Sequence, residues 1–268
     1  MTENGSPVDT PRTDARLGRG AKRSAELASN LALLRGQIAE TATTVGRDPA
    51  DITLIVVTKT WPVEDIRRLA QLGVTDVGEN RDQEARLKHE ACADLALRWH
   101  FIGGLQRNKC ASVARYADLV HSVDRIKLVN PLDRAAQEAD RDLRVLIQVS
   151  LDPVSSTCSE ADGSPGAGDG GPARRRGVRT EELAALVDRL AGARRLRVAG
   201  VMGVAPVGGD ARAAFKRLRE TSATVRETWP EAGLISAGMS GDWRQAIEEG
   251  ATHLRLGSAV LGARPPLG

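Results

Sequence analysis

Short apolar runs begin near Leu54, Thr75, Leu97, Leu119, Leu143, Leu196, Gly233 and Thr252, and most are separated by stretches whose apolar residues recur at helical spacing. The first run, Leu54-Ile55-Val56-Val57, is continuously apolar and mostly β-branched, which reads as a strand buried on both faces. It ends at Lys59, and Pro62 follows where a helix opens. Val63, Ile66, Leu69 and Leu72 line one face of that helix and Gly73 stops it. Comparable patterns predict helices over 81–90, 105–117, 181–191, 211–227 and 242–249. Ahead of the first strand, Leu27, Leu31, Leu34, Ile38 and Val45 predict a further amphipathic helix, with Gly46 as its stop. Between the fourth and fifth strands Pro131 predicts a break, unless Ile126 to Val129 form a separate turn and Asn130 caps a new helix.

Eight strands alternating with helices, in repeats of about 20 to 25 residues, predict an α/β fold of the (β/α)8 TIM barrel type. A doubly wound sheet also alternates, but the barrel makes a further prediction: functional residues should collect at the C-terminal ends of several strands. Residues 1–20 are expected to form a disordered tail and 21–268 the barrel. Within it, 153–177 is dominated by Ser, Gly, Pro, Ala and Asp and reads as a flexible low-complexity insertion. Its Gly166, Gly168 and Gly171 match a phosphate-binding glycine pattern only formally, because neither a strand nor a helix flanks them.

Composition narrows the function. A hydrophobic share of 41% can build a core. The net charge of +3 comes from mixed signs rather than a basic stripe, and 3% aromatic residues leave few rings for bases to stack on, so nucleic acid is not an expected partner. Cys92, Cys110 and Cys158 are odd in number and widely spaced, which indicates neither a disulfide framework nor a metal site. No stretch has signal-peptide or membrane-spanning length, so a cytoplasmic protein without membrane contact is expected.

The strand ends carry the chemistry. They give Lys59 on the first strand, Gly78-Glu79-Asn80 on the second, His100-Phe101-Ile102-Gly103 on the third, Gly238-Met239-Ser240-Gly241-Asp242 on the seventh and Arg255-Leu256-Gly257-Ser258 on the eighth. A lysine whose pKa is lowered by burial or a neighbouring cation can attack an aldehyde, although strand-end lysines also snorkel into water. Ser240 stands where a helix N-cap is expected, and the glycines around it and at Gly257 let backbone approach a ligand closely. In barrels, loops after strands seven and eight recur as phosphate sites. Closing the barrel puts Arg255 beside the strand of Lys59, and a phosphorylated aldehyde, with pyridoxal phosphate foremost, would satisfy all three features. The other five lysines, Lys22, Lys88, Lys109, Lys127 and Lys216, are expected at the surface.

The motifs VTKT, GEN, WHFIG-x-LQ-x-NK, GVM, SAGMSGDW and AIEEGATHLRLGSAVLGAR, in that order, resemble the pyridoxal phosphate homeostasis protein family, whose barrel is similar to the N-terminal domain of alanine racemases. The resemblance implies that Lys59 carries pyridoxal 5'-phosphate as a Schiff base. It implies that Ser240, Gly257 and Ser258 hold the phosphate, Arg255 faces the pyridine nitrogen, Asn80 and His100 line the pocket, and Met239 is a further cofactor-binding residue. The implied role is non-catalytic: intracellular vitamin B6 homeostasis, with apo-enzymes that use the cofactor as recipients. The alternative is an amino-acid racemase-type enzyme, which needs a second acid/base. The chain ends at Gly268 without a second domain to supply one, and its only tyrosine, Tyr116, falls in a helix, so the carrier and a monomer are expected. Arg81, where the family commonly has tyrosine, Gly203, where it has a larger residue, Pro131 and the insertion are departures; none touches the lysine or phosphate motifs.

Overall fold

The structure, a computed structural model, describes residues 11–152 and 177–263. Its strands are β1 (Thr53–Val57), β2 (Asp76–Glu79), β3 (Arg98–Phe101), β4 (Leu119–Val123), β5 (Leu143–Gln148), β6 (Leu196–Met202), β7 (Leu234–Ser236) and β8 (His253–Leu256). All pair in parallel and in sequence order, and β8 returns to β1 with Ile55 opposite Arg255, closing an eight-stranded barrel. α1 (Pro11–Thr44) precedes the barrel. Around it stand α2 (Val63–Gln71), α3 (Asp82–Ala91), α4 (Cys110–Tyr116), α5 (Ile126–Glu138), α6 (Thr180–Ala191), α7 (Ala211–Thr228), α8 (Trp243–Glu248) and the short α9 (Ser258–Leu261).

Strand positions agree with the apolar runs because each strand is buried almost throughout, so its sequence is a nearly unbroken apolar word. The main apolar cluster lies between the sheet and the helices. Leu119, Leu146, Ala199 and Met202 make a second, separate cluster. No helix among the described residues is long and apolar enough to cross a membrane.

Two local expectations are corrected. α5 runs unbroken through Pro131. Leu128, Val129, Leu132, Ala135 and Ala136 form one buried stripe across it. Burying such side chains yields about 1.5–3 kcal/mol for each large one, enough to offset the proline cost of about 3 kcal/mol. The predicted helix over 105–117 is a 3-10 turn, Arg107–Lys109, leading into the shorter α4. The helix expected ahead of the first strand is α1, whose Leu27–Leu31–Leu34 face is buried. Residues 1–10, the insertion over 153–176 with its glycines and Cys158, and 264–268 lie outside the described residues.

Candidate functional site

Lys59, Asn80, Met239, Ser240, Arg255, Gly257 and Ser258 line one cleft of about 280 Å³ at the C-terminal ends of the strands. Sequence reading placed these residues on strand ends; barrel closure brings them together. Val57, Trp61, Ile102 and Met202 add apolar wall.

The rim is built by close backbone approach. Gly238, at φ +89°, follows β7, and a Cβ there would sit 2.9 Å from Ala246 Cβ and from Trp243 Cα. Its carbonyl accepts from Arg255 N at 3.0 Å, tying the loop to β8. Next along that loop, Met239 N donates to Asp242 Oδ1 at 2.6 Å, and Asp242 rather than Ser240 occupies the N-cap position of α8. Ser240 instead reaches across, its Oγ 3.0 Å from Ser258 Oγ at the start of α9. A Cβ on Gly257 would lie 3.0 Å from Val57 O, so β1 and the loop after β8 meet there with room only for hydrogen. On the other side, a Cβ on Gly103 would fall 2.0 Å from Asn80 O, which fixes the strand-two loop that carries Asn80.

Arg255 forms the floor. Nη1 donates to Ser236 Oγ at 2.5 Å and Nη2 to Gly203 O at 2.9 Å, both neutral acceptors. Burial lowers its pKa to about 10, opposed by the charge of Asp242. A Cβ on Gly203 would lie 2.6 Å from Leu151 Cδ1, so a larger residue there would need the Leu151 side chain to shift.

His100 is a correction. It does not line the cleft but lies below it, inside the barrel, with Nδ1 2.9 Å from His121 Nε2 and Nε2 2.9 Å from Asp76 Oδ1. His121 Nδ1 in turn lies 2.9 Å from Ser236 Oγ, the acceptor of Arg255. A side-chain bond from β4 to β7, which are not neighbours, can only cross the barrel interior. The resulting chain, Arg255–Ser236–His121–His100–Asp76, runs from the cleft floor to the opposite rim, where Arg98 Nη2 pairs with Asp76 Oδ2 at 2.6 Å. Burial alone would raise the Asp76 carboxyl, but bonds from His100, Arg98 and Thr75 hold it well below the usual carboxylate range. Burial pushes His121 well below an ordinary histidine. The signal available in the sequence was one histidine inside each of two apolar strands, Trp99-His100-Phe101 and Val120-His121.

A second correction concerns Lys88, expected at the surface. It is 6% exposed and pairs with Glu79 at 2.7 Å and Glu84 at 2.6 Å. Glu84 and Lys88 stand four residues apart on α3, and Glu79 ends an apolar strand, a charge placement that foreshadows the cluster. Burial raises the Glu79 carboxyl, and Lys88 and Thr58 counter it in part. Tyr116, the last residue of α4, is buried and does not line the cleft. No three His, Cys, Asp or Glu side chains among the described residues are placed to hold a metal ion.

With this geometry in hand, comparison with known proteins is informative. The family described as alanine racemase, N-terminal domain, matches residues 166–265. A pyridoxal phosphate homeostasis protein of Mycobacterium tuberculosis is 38% identical over 258 residues, covering 90% of this chain and 94% of that one. One from Pseudomonas aeruginosa is 37% identical over 243 residues, covering 89% and 96%. Among solved structures, PipY of Synechococcus elongatus PCC7942, determined with PLP bound, superimposes with TM-score 0.73 at 32% identity, covering 88% of this chain and 100% of that one.

Proposed function

Since the chain belongs to the pyridoxal phosphate homeostasis protein family, we propose that it binds pyridoxal 5'-phosphate in the strand-end cleft, with Lys59 as the Schiff-base residue, and holds and supplies the cofactor without turnover. The observation that carries this reading is the convergence of Lys59, the Ser240–Ser258 pair, Gly257 and Arg255 on one cleft. The residues fit the group: a buried guanidinium bonded only to neutral oxygens, two facing hydroxyls and a backbone cradle that a Cβ would crowd are suited to an anionic, planar ligand.

When bound, the cofactor supplies an electrophilic aldehyde for an amine and an electron-withdrawing ring. Lys59 provides the amine. Ser240 and Ser258 would hold the phosphate through their hydroxyls, and Gly257 keeps the loop close to β1. Met239 and Asn80 bound the cleft on either side. Arg255 can only donate and stays charged even at a pKa of about 10, so it supplies no proton to a ring nitrogen and weakens the ring as an electron sink. That property suits carriage better than turnover. Apart from Lys59, no Lys, His, Asp, Glu, Cys or Tyr among the described residues lines the cleft, which supports the carrier over a racemase that needs a second base. In this reading the chain works in the cytoplasm as a monomer and passes cofactor to apo-enzymes.

The test is the visible absorption of the purified protein with pyridoxal phosphate beside Lys59→Ala prepared identically. A Schiff-base band present in the first and absent in the second supports the assignment; equal spectra overturn it. Incubating the loaded protein with alanine or serine in deuterated water then separates the classes: enzyme-like exchange of the α-hydrogen would make it a catalyst.

A further inference from the structure

We propose that Lys88 is a positioning residue that presents Lys59 to the cleft by holding the threonines on either side of it; this rests on the reading of Lys59 above. Lys88 Nζ donates to Thr58 O at 2.7 Å, to Glu79 Oε1 at 2.7 Å and to Glu84 Oε1 at 2.6 Å, which uses all three of its hydrogens. Thr58 Oγ1 donates to Glu79 Oε1 at 2.7 Å, and Thr60 N donates to Glu84 Oε1 at 2.5 Å. The residue before Lys59 is therefore held through its carbonyl and hydroxyl, and the residue after it through its amide, by one ion cluster.

Thr60 shows why a clamp is needed. Its φ is +68°, a left-handed conformation that a β-branched residue avoids unless its surroundings enforce it. Released from Glu84, the peptide would relax to negative φ and turn the backbone at Lys59 with it. The cluster is also more than packing of α3 on β2. For that, Lys88 bonded to Glu79 would suffice; the bonds to Thr58 O and Thr60 N both go to the connection between β1 and α2. A buried charge cluster is rigid because each member, left alone, would be an uncompensated charge.

Glu84→Ala and Lys88→Met, each alone and combined with Thr60→Gly, are compared with the unchanged chain and with Lys59→Ala. Amide hydrogen exchange over residues 58–61 is read without cofactor; the visible band, its dissociation constant and borohydride trapping at Lys59 are read with pyridoxal phosphate. Glu84→Ala should speed exchange at Thr60 and weaken cofactor binding by about tenfold, and Lys88→Met by more. Thr60→Gly, which adopts positive φ without strain, should recover most of the affinity, while exchange at residue 60 stays fast because its acceptor is gone. The Glu84 side chain is 25% exposed, so Glu84→Ala carries the test if Lys88→Met fails to fold. Unchanged exchange and affinity in both variants overturn the proposal, as does a loss of affinity that Thr60→Gly leaves in place. If the unchanged chain shows no cofactor band while exchange responds as expected, the cofactor reading fails and the clamp stands.

Discussion

His100 Nδ1 lies 2.9 Å from His121 Nε2 inside the closed barrel, and the groups beyond each ring dictate where the protons sit. Ionised Asp76 can only accept, so His100 carries its hydrogen on Nε2. With that hydrogen on Nε2, the arrangement that satisfies every group has His100 Nδ1 accept from His121 Nε2 and His121 Nδ1 accept from the Ser236 hydroxyl, which itself accepts from Arg255. The tautomers are assigned from this network rather than seen. Every bond points the same way, from the guanidinium under the cleft to the carboxylate at the far rim.

Removing the middle of this chain should be expensive. His121→Leu leaves the Ser236 hydroxyl hydrogen without its acceptor, the oxygen still held by Arg255, and leaves His100 Nδ1 buried without a partner, at about 1–3 kcal/mol for each lost partner. Urea unfolding should show a lower midpoint with an unchanged slope; a loss under about 1 kcal/mol would mean that the neighbours re-pair.

Acid should destabilise the fold in two separate windows. Burial holds His121 well below 6.5 and His253 at about 4, so between pH 6.5 and about 4 the unfolded chain binds protons that the folded chain refuses. Stability therefore falls as pH drops below 6.5, by up to about 1.4 kcal/mol per pH unit for each histidine. The Asp76 carboxyl is also shifted down, by bonds that favour its charged form: its contribution is fully present above its unfolded value of 3.8 and is lost only below it. Urea midpoints measured from pH 7.5 to 4.5 should follow the histidine slope, and His121→Leu should flatten it.

Glycine at 103 and 238 should be obligatory. In Gly103→Ala the new Cβ would meet Asn80 O at 2.0 Å, and in Gly238→Ala it would add a side chain at φ +89° against Trp243 Cα at 2.9 Å. Each should cost about 1–3 kcal/mol in thermal or urea unfolding. Gly103→Ala should also weaken pyridoxal phosphate binding, because Asn80 must move. Unaltered stability and affinity would show that the strand-two loop yields freely.

Arg255→Lys should keep a positive charge but lose the planar fork that reaches Ser236 Oγ and Gly203 O together. The expected result is a cofactor band that persists at a shifted maximum, with affinity reduced about tenfold in a spectroscopic titration. An unshifted band and unaltered affinity would remove Arg255 from the site.

Much of the barrel was legible because burial on both faces leaves parallel strands as apolar words bounded by glycine and proline; β1, β4, β5 and β6 begin at or within one residue of the runs that announced them. Lys59 and Arg255 could be placed beside one another for the same reason, since closure of eight strands in order makes β1 and β8 neighbours. Pro131 and Lys88 were misread because local rules describe a residue by its flanks. Pro131 is tolerated for the buried stripe on both sides of it, and Lys88 is drawn inward by a carboxylate nine residues back on another element.

The sequence by itself determined the eight-fold alternation, the rim on which the candidate site residues collect, and the residue types there, all of which follow from periodicity and chain order. Only the tertiary structure decided that His100 belongs to an interior relay and not to the cleft, that Ser240 meets Ser258, and that a buried ion cluster grips Thr58 and Thr60 around Lys59. Those choices depend on which side chains of distant elements come within hydrogen-bond reach, and in a closed interior an unpaired polar group is too costly for them to be arbitrary.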